Sequence, residues 1–161
     1  MILITDGGST KCDWILLDQK GDVVLKTRTK GLNPAVVPDE NIRERILANQ
    51  DLLPFVTKIT VVDFFGAGCG TKTPIRLLTR ILSEIFPLAT VSVNEDMVAA
   101  VYAATTKPGI VCILGTGSNS CYFDGTNIHN GIESLGYSLM DEASGNYFGK
   151  RLIRDYFYGL M

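Results

Sequence analysis

Two short segments carry residue types suited to holding a phosphate chain. Residues 6–11 read Asp-Gly-Gly-Ser-Thr-Lys, and residues 115–119 read Gly-Thr-Gly-Ser-Asn. Glycines let successive backbone N–H groups approach an anion without obstruction by Cβ, and such N–H groups together form an anion nest. In the first segment Gly7, Gly8 and Ser9 would form the turn, with the Thr10 hydroxyl and the Lys11 ammonium as further donors. Asp6 could hold hydrated Mg²⁺ through water with a single carboxylate, the mode this ion favours. In the second segment Gly115, Thr116, Gly117 and Ser118 offer the same backbone chemistry. Neither is a Walker A loop, because no Gly-Lys-Ser/Thr opens a helix. Neither is a dinucleotide fingerprint, because a strand rather than a helix follows. Each alone could be an ordinary Gly-rich hairpin. They gain weight as a pair: aligned, Asp6 falls on Gly115, Gly8 on Gly117, Ser9 on Ser118 and Cys12 on Cys121. Two such hairpins suggest two related half-domains with a phosphate chain between their turns.

Acids and amides supply candidates for the acceptor side. Asn94-Glu95-Asp96 closes an apolar strand, and ligands of open α/β sheets bind beyond the carboxyl ends of strands. A carboxylate there can take the proton of a hydroxyl that attacks a phosphoryl group; it could equally cap the following helix. Asp141-Glu142-Ala143-Ser144-Gly145 could complement a helix dipole, or Asp141 could bind sugar hydroxyls. Asn33, within Gly31-Leu32-Asn33-Pro34, could do likewise or belong to a turn.

The elements that must position these residues follow from periodicity. Strands are expected at 2–5, 14–17 and 23–29, a helix at 39–50, a buried parallel strand at 59–65, a helix at 71–86, a strand at 89–93 and a helix at 94–104. The fold class is therefore α/β, β-β-β-α-β-α-β-α. A Pro/Gly break at 105–109 places a boundary there, giving a first domain at 1–106 and a second at 107–161. The second restarts with strands at 110–114, 119–123 and 128–132, a glycine-bearing loop at 134–136 and a helix at 141–157. It is a partial copy, β-β-β-α, and half a sheet of this kind is expected to leave apolar surface and open edges.

Bulk properties bound the partners. The 161 residues are 46% hydrophobic and 20% charged, with a formal net charge of −2, so nothing favours nucleic acid or an anionic membrane. No apolar run reaches the ~18 residues of a membrane helix, and the N-terminus lacks a basic signal-peptide region, so a cytoplasmic location is expected. The four cysteines, Cys12, Cys69, Cys112 and Cys121, have no metal-ligand spacing and only one histidine for company; three are expected as buried strand thiols, with Cys69 in a flexible loop.

Together these residues resemble the actin/Hsp70/sugar-kinase (ASKHA) superfamily, and within it the BadF/BadG/BcrA/BcrD ATPase branch, which includes N-acetylglucosamine kinases. The resemblance covers essentially the whole chain. It implies a ribonuclease H-like, actin-like ATPase domain followed by a truncated second copy. It further implies ATP and Mg²⁺ as cofactors, with phosphoryl transfer to a hydroxyl of an N-acetylglucosamine-type amino sugar. Asp6 to Lys11 resembles the first phosphate motif and Gly115 to Ser118 the second. Asp96 resembles the catalytic base, and Asn33 and Asp141 resemble residues that meet the sugar. Leu135-Gly136-Tyr137 stands where the sugar kinases usually carry Gly-Gly-Trp, Met140 replaces the glycine before Asp141, and Ala143 replaces the glycine after Glu142. The family's adenosine-binding motif has no counterpart here, so the isolated chain is expected to bind ATP poorly and to be inactive. The alternatives are a BadF-type ATPase that activates a partner enzyme and a non-catalytic sugar- or nucleotide-sensing module. The activator reading lacks support from cysteines after Asn94. Association into a homodimer is left open.

Overall fold

The computed structural model describes residues 1–131, 135–136 and 138–161. Ile132, the expected end of a strand, and Ser134 and Tyr137 of the glycine-bearing segment lie outside the described residues. The chain divides into two compact units, Met1–Ala99 and Ala100–Met161.

The first unit holds a five-stranded sheet of order β3-β2-β1-β4-β5. Its strands are β1 (Ile2–Gly7), β2 (Lys11–Leu17), β3 (Val23–Lys30), β4 (Val61–Gly66) and β5 (Thr90–Glu95). β1, β2 and β3 form an antiparallel meander, and β1, β4 and β5 run parallel. Helices α1 (Asp39–Leu47) and α2 (Lys72–Ile85) connect β3 to β4 and β4 to β5, and α3 (Asp96–Ala104) follows β5. The order β-β-β-α-β-α-β-α is the expected one.

Alternation decides which face of the sheet is covered. Leu3, Trp14, Leu16, Val62, Phe64 and Val93 share one face and form a single core with Ile42 and Ile46 of α1 and Leu78, Ile81, Leu82 and Ile85 of α2. Trp14 meets Phe64 edge to face at 6.5 Å, and its indole N–H donates to Thr29 Oγ1 at 3.0 Å. β4 corrects one expectation. The run predicts a buried strand, but burial alternates along it: Val62 and Phe64 are buried, and Val61, Asp63 and Phe65 only partly covered.

Thr5 stands out in this core. It pairs with Trp14 on one side and Phe64 on the other, and its buried hydroxyl has no hydrogen-bond partner among the described residues. Such a group forfeits its hydration without return. Thr5→Val keeps the branched shape a strand favours and should stabilise the protein by about 1 kcal/mol. In urea the unfolding midpoint should rise with an unchanged m-value; a lower midpoint would show that the hydroxyl is satisfied in solution.

The second unit holds a three-stranded antiparallel sheet, β6 (Gly109–Leu114), β7 (Ser118–Phe123) and β8 (Ile128–Asn130), in that order, and helix α4 (Gly145–Phe157). Val111, Cys121 and Phe123 are its buried apolar strand residues. Cys112, expected as buried filler, is exposed, because it lies on the outward side of edge strand β6. Cys69, expected in a flexible loop, is buried. The last helix starts at Gly145 rather than at 141, because Asp141 and Ala143 have φ of +70° and +61°, values no right-handed helix accommodates.

Candidate functional site

Register brings the ends of three parallel strands together. Asp6 pairs with Phe65 and Phe65 with Asn94; Gly7 pairs with Gly66 and Gly66 with Glu95. Asp6 and Asn94 therefore end strands two apart, about 10 Å between backbones. Asp96 opens α3 one residue beyond β5. This is the carboxyl edge at which open α/β sheets bind ligands.

The turn between β1 and β2 is held by its carbonyl groups. Ala67 N–H donates to Gly7 O at 2.9 Å, Leu32 N–H to Gly8 O at 3.3 Å and Gly31 N–H to Thr10 O at 2.9 Å. The carbonyls of Gly7 and Gly8 share their peptide units with the N–H groups of Gly8 and Ser9, which lie on the opposite side of each unit. Gly8, Ser9 and Thr10 donate no backbone hydrogen bond among the described residues. Three consecutive N–H groups without a backbone acceptor among the described residues lie beside an exposed carboxylate at Asp6, and such N–H groups can receive an anion. The segment Gly31-Leu32 that anchors the turn is a functional element sequence reading assigned only to Asn33. Arg45, in the last turn of α1, supports it from behind by donating to Gly31 O.

Lys11 has an ion-pair partner on its own strand. Its ammonium lies 3.1 Å from Asp13 Oδ2, and Asp13 also accepts from Arg28 Nε. These cations hold the Asp13 carboxyl below the usual range, Arg28 most strongly. Asp13 pairs across the strands with Asp6, so its cations offset a like-charge pair beside the turn.

Asp96 is half-buried. Its Oδ1 accepts from Met97 N–H at 2.9 Å, and its own backbone N–H also donates to the carboxylate. Burial, and after it the nearby Asp6 carboxylate, push its carboxyl above the ordinary range. A carboxylate raised in this way is a stronger base once ionised. Cys69 lies near the same acids: burial, then Asp96 and Glu95, push its thiol up to about 12, so it stays protonated and unreactive at neutral pH. Asn94 spends its amide on Ser92 Oγ at 2.9 Å.

Asn33, expected on a sugar, is only 8% exposed. Its Nδ2 donates to Ser9 Oγ at 2.8 Å, and its Oδ1 accepts from Ala35 N–H at 2.9 Å.

The second unit builds its turn by the same device. Gly145 N–H donates to Gly115 O at 2.9 Å and Asn146 N–H to Thr116 O at 3.2 Å. Thr116 and Gly117 donate no backbone hydrogen bond among the described residues. Ser118 Oγ donates to Glu142 O at 2.8 Å. A Cβ on Gly117 would lie 2.7 Å from Asp141 Oδ2, so buried Asp141 rests directly against this turn. Any side chain at 117 displaces that carboxylate, so Gly117→Val should destabilise the protein by about 1–3 kcal/mol. An unchanged unfolding midpoint in denaturant would contradict this placement.

Ala143 occupies the left-handed region with φ +61°, where a Cβ costs about 1–2 kcal/mol. Ala143→Gly should stabilise the protein by about 0.5–1 kcal/mol after the added flexibility of the unfolded chain is counted. A loss of stability in denaturant titration would contradict the strained assignment.

Among the described residues no three His, Cys, Asp or Glu side chains are grouped to hold a metal. One exposed carboxylate beside free N–H groups suits a hydrated Mg²⁺ that keeps most of its waters. No helix among the described residues is long and apolar enough to cross a membrane.

No family model matches the chain. Among solved structures, a Porphyromonas gingivalis protein provisionally named an N-acetylglucosamine kinase is 38% identical. That alignment covers 100% of this chain and 58% of the other, with a TM-score of 0.89. The inorganic polyphosphate/ATP-glucomannokinase of Arthrobacter sp. strain KM is 20% identical over 93% of this chain and 70% of its own, with a TM-score of 0.61. A ROK-family glucokinase of Streptomyces griseus, solved with glucose and AMPPNP, is 20% identical over 81% of this chain and 47% of its own, with a TM-score of 0.57. The last two are likenesses of fold. The chain thus spans 58% of the length of the Porphyromonas protein, and its architecture is that of actin-like ATPases and sugar kinases.

Proposed function

We propose that this chain carries the phosphate-binding turns and acceptor residues of an ATP-dependent sugar kinase acting on an N-acetylglucosamine-type amino sugar. The observation that carries this reading is the first turn. Its carbonyls are tied to Gly31, Leu32 and Ala67, its Gly8, Ser9 and Thr10 N–H groups are left for an anion, and Asp6 stands beside it. The 38% identity to the Porphyromonas protein supports the substrate class. The motif from Asp6 to Lys11 supports the BadF/BadG/BcrA/BcrD branch. We read residues 107–161 as a partial copy of the first domain, supported by the order β6, β7, β8, α4 and by the absence of buried residues in α4.

In this reading the N–H groups of residues 8–10 bind phosphate oxygens, with the hydroxyls of Ser9 and Thr10 beside them; within the second unit the N–H groups of residues 116–117 and the Ser118 hydroxyl offer the same chemistry. Asp6 would hold Mg²⁺ through water, and the ion would offset phosphate charge. Asp96 orients the acceptor hydroxyl and takes its proton as the oxygen attacks the terminal phosphorus. Asn33 and Asp141 align the sugar. Most of the rate arises from positioning and charge stabilisation, as is general for phosphoryl transfer. Lys11 is shared between Asp13 and the phosphates.

ADP release by the full-length protein across a panel of hexoses and amino sugars tests the reading. Release that requires a sugar, greatest with N-acetylglucosamine, is expected. Release independent of sugar would instead mark an ATPase, and binding without release a sensor.

A further inference from the structure

We propose that Asn33 is a positioning residue for the nucleotide turn, so that the acceptor loop and the phosphate-binding turn are ordered as one piece. The proposal rests on the kinase reading above and adds to it a dependence of nucleotide binding on a residue of the sugar loop.

The amide of Asn33 is fixed at both ends. Oδ1 accepts from Ala35 N–H at 2.9 Å, a donor that settles which end of the amide is oxygen, and Nδ2 donates to Ser9 Oγ at 2.8 Å. A hydroxyl that accepts from an amide keeps its own proton to give. Ser9 is exposed, in the middle of the three free N–H groups, so its proton is available to a phosphate oxygen. Asn33 thereby sets the hydroxyl as a donor.

Two glycines make this arrangement fit. A Cβ on Gly31 would overlap the Ser9 carbonyl and lie 2.7 Å from Gly8 O, and a Cβ on Gly68 would overlap Asn33 Oδ1. Gly68 also has φ +77°, so the loop after β4 closes over the amide at the one residue type that permits both. Buried between Gly68 and the turn, the amide holds Ser9 in one orientation.

The second unit repeats the pattern with its own groups. Ser118, which aligns with Ser9, is bonded to Glu142 O at 2.8 Å, next to Asp141. In each unit the serine of the phosphate turn is tied to the segment read as meeting the sugar.

The test is the affinity of the full-length protein for Mg-AMPPNP without sugar, by calorimetry, for the parent, Asn33→Ala, Ser9→Ala and the double variant. One neutral hydrogen bond corresponds to about 2- to 10-fold in affinity. Asn33→Ala and Ser9→Ala should each weaken AMPPNP by that factor. The double variant should be no weaker than the worse single one, because both remove the same interaction. Ser9 is exposed, so Ser9→Ala remains informative even where Asn33→Ala unfolds. Unchanged AMPPNP affinity in Asn33→Ala, with only the sugar KM raised, would overturn the proposal, as would single effects that multiply. A parent that bound no AMPPNP would overturn the kinase reading and the proposal with it.

Discussion

Asp96→Asn should lower kcat of the full-length protein by about 10²–10⁴-fold, the range that a positioned general base supplies. The amide keeps the shape of the side chain and can still accept from Met97 N–H, the bond the carboxylate makes at 2.9 Å, so the start of α3 survives. Nucleotide affinity should stay within about twofold, since the group acts in the transition state rather than in ground-state binding. The acid limb of kcat/KM in the parent should lie above the range of an ordinary carboxylate, because burial and the Asp6 charge push the Asp96 carboxyl up. The same shift has a sign for stability. Between the unfolded and the raised folded value the folded state holds more protons than the unfolded, so the contribution of Asp96 falls as pH rises through that window. Asp96→Asn should remove this dependence and be no less stable at neutral pH, a loss of activity without a loss of fold. Near wild-type turnover in Asp96→Asn would contradict its assignment as base.

Gly31→Ala should be the most damaging single methyl in the first unit. The added Cβ would overlap the carbonyl of Ser9 and lie 2.7 Å from Gly8 O, and both are backbone atoms that no rotamer change can move. Either the phosphate turn shifts or Gly31 and Leu32 leave it, with loss of the bonds to Thr10 O at 2.9 Å and Gly8 O at 3.3 Å. A loss of about 2–3 kcal/mol in stability is expected from overpacking of this kind. Nucleotide affinity should fall by about 30-fold or more, since the nest exists only while those carbonyls are held back. Gly149→Ala is the matched control. Nothing lies within 4 Å of a Cβ there, and alanine suits the interior of α4 better than glycine. Equal effects from the two substitutions would show that the turn is not anchored through Gly31.

What could be read from sequence was what periodicity and turn chemistry encode. Alternation in β1 and β2, the three-and-four spacing of Leu78, Ile81, Leu82 and Ile85, and the Gly-rich turns gave the element order correctly. The anchoring of the turns was not legible, because it runs through backbone groups 21 or more residues apart, as between Thr10 and Gly31; no side chain advertises it. The pairing of Asp13 with Arg28 depends on the register that sets β3 against β2, and register is a tertiary fact. The start of α4 was misplaced because Asp141 and Glu142 look like a helix N-terminus, whereas the left-handed backbone at Asp141 and Ala143 is set by packing of that segment on the second turn. Cys112 was misread because strand propensity does not distinguish an edge strand from a central one.

The central claim is that a phosphoryl group passes from ATP to a sugar hydroxyl with Asp96 as base. Its most direct test follows the label of ATP carrying heavy oxygen in the terminal phosphoryl group, incubated with N-acetylglucosamine and the full-length protein, by mass spectrometry. The account predicts the label in a sugar phosphate, with transfer nearly abolished in Asp96→Asn. Label found only in inorganic phosphate, with the sugar unchanged, would contradict it.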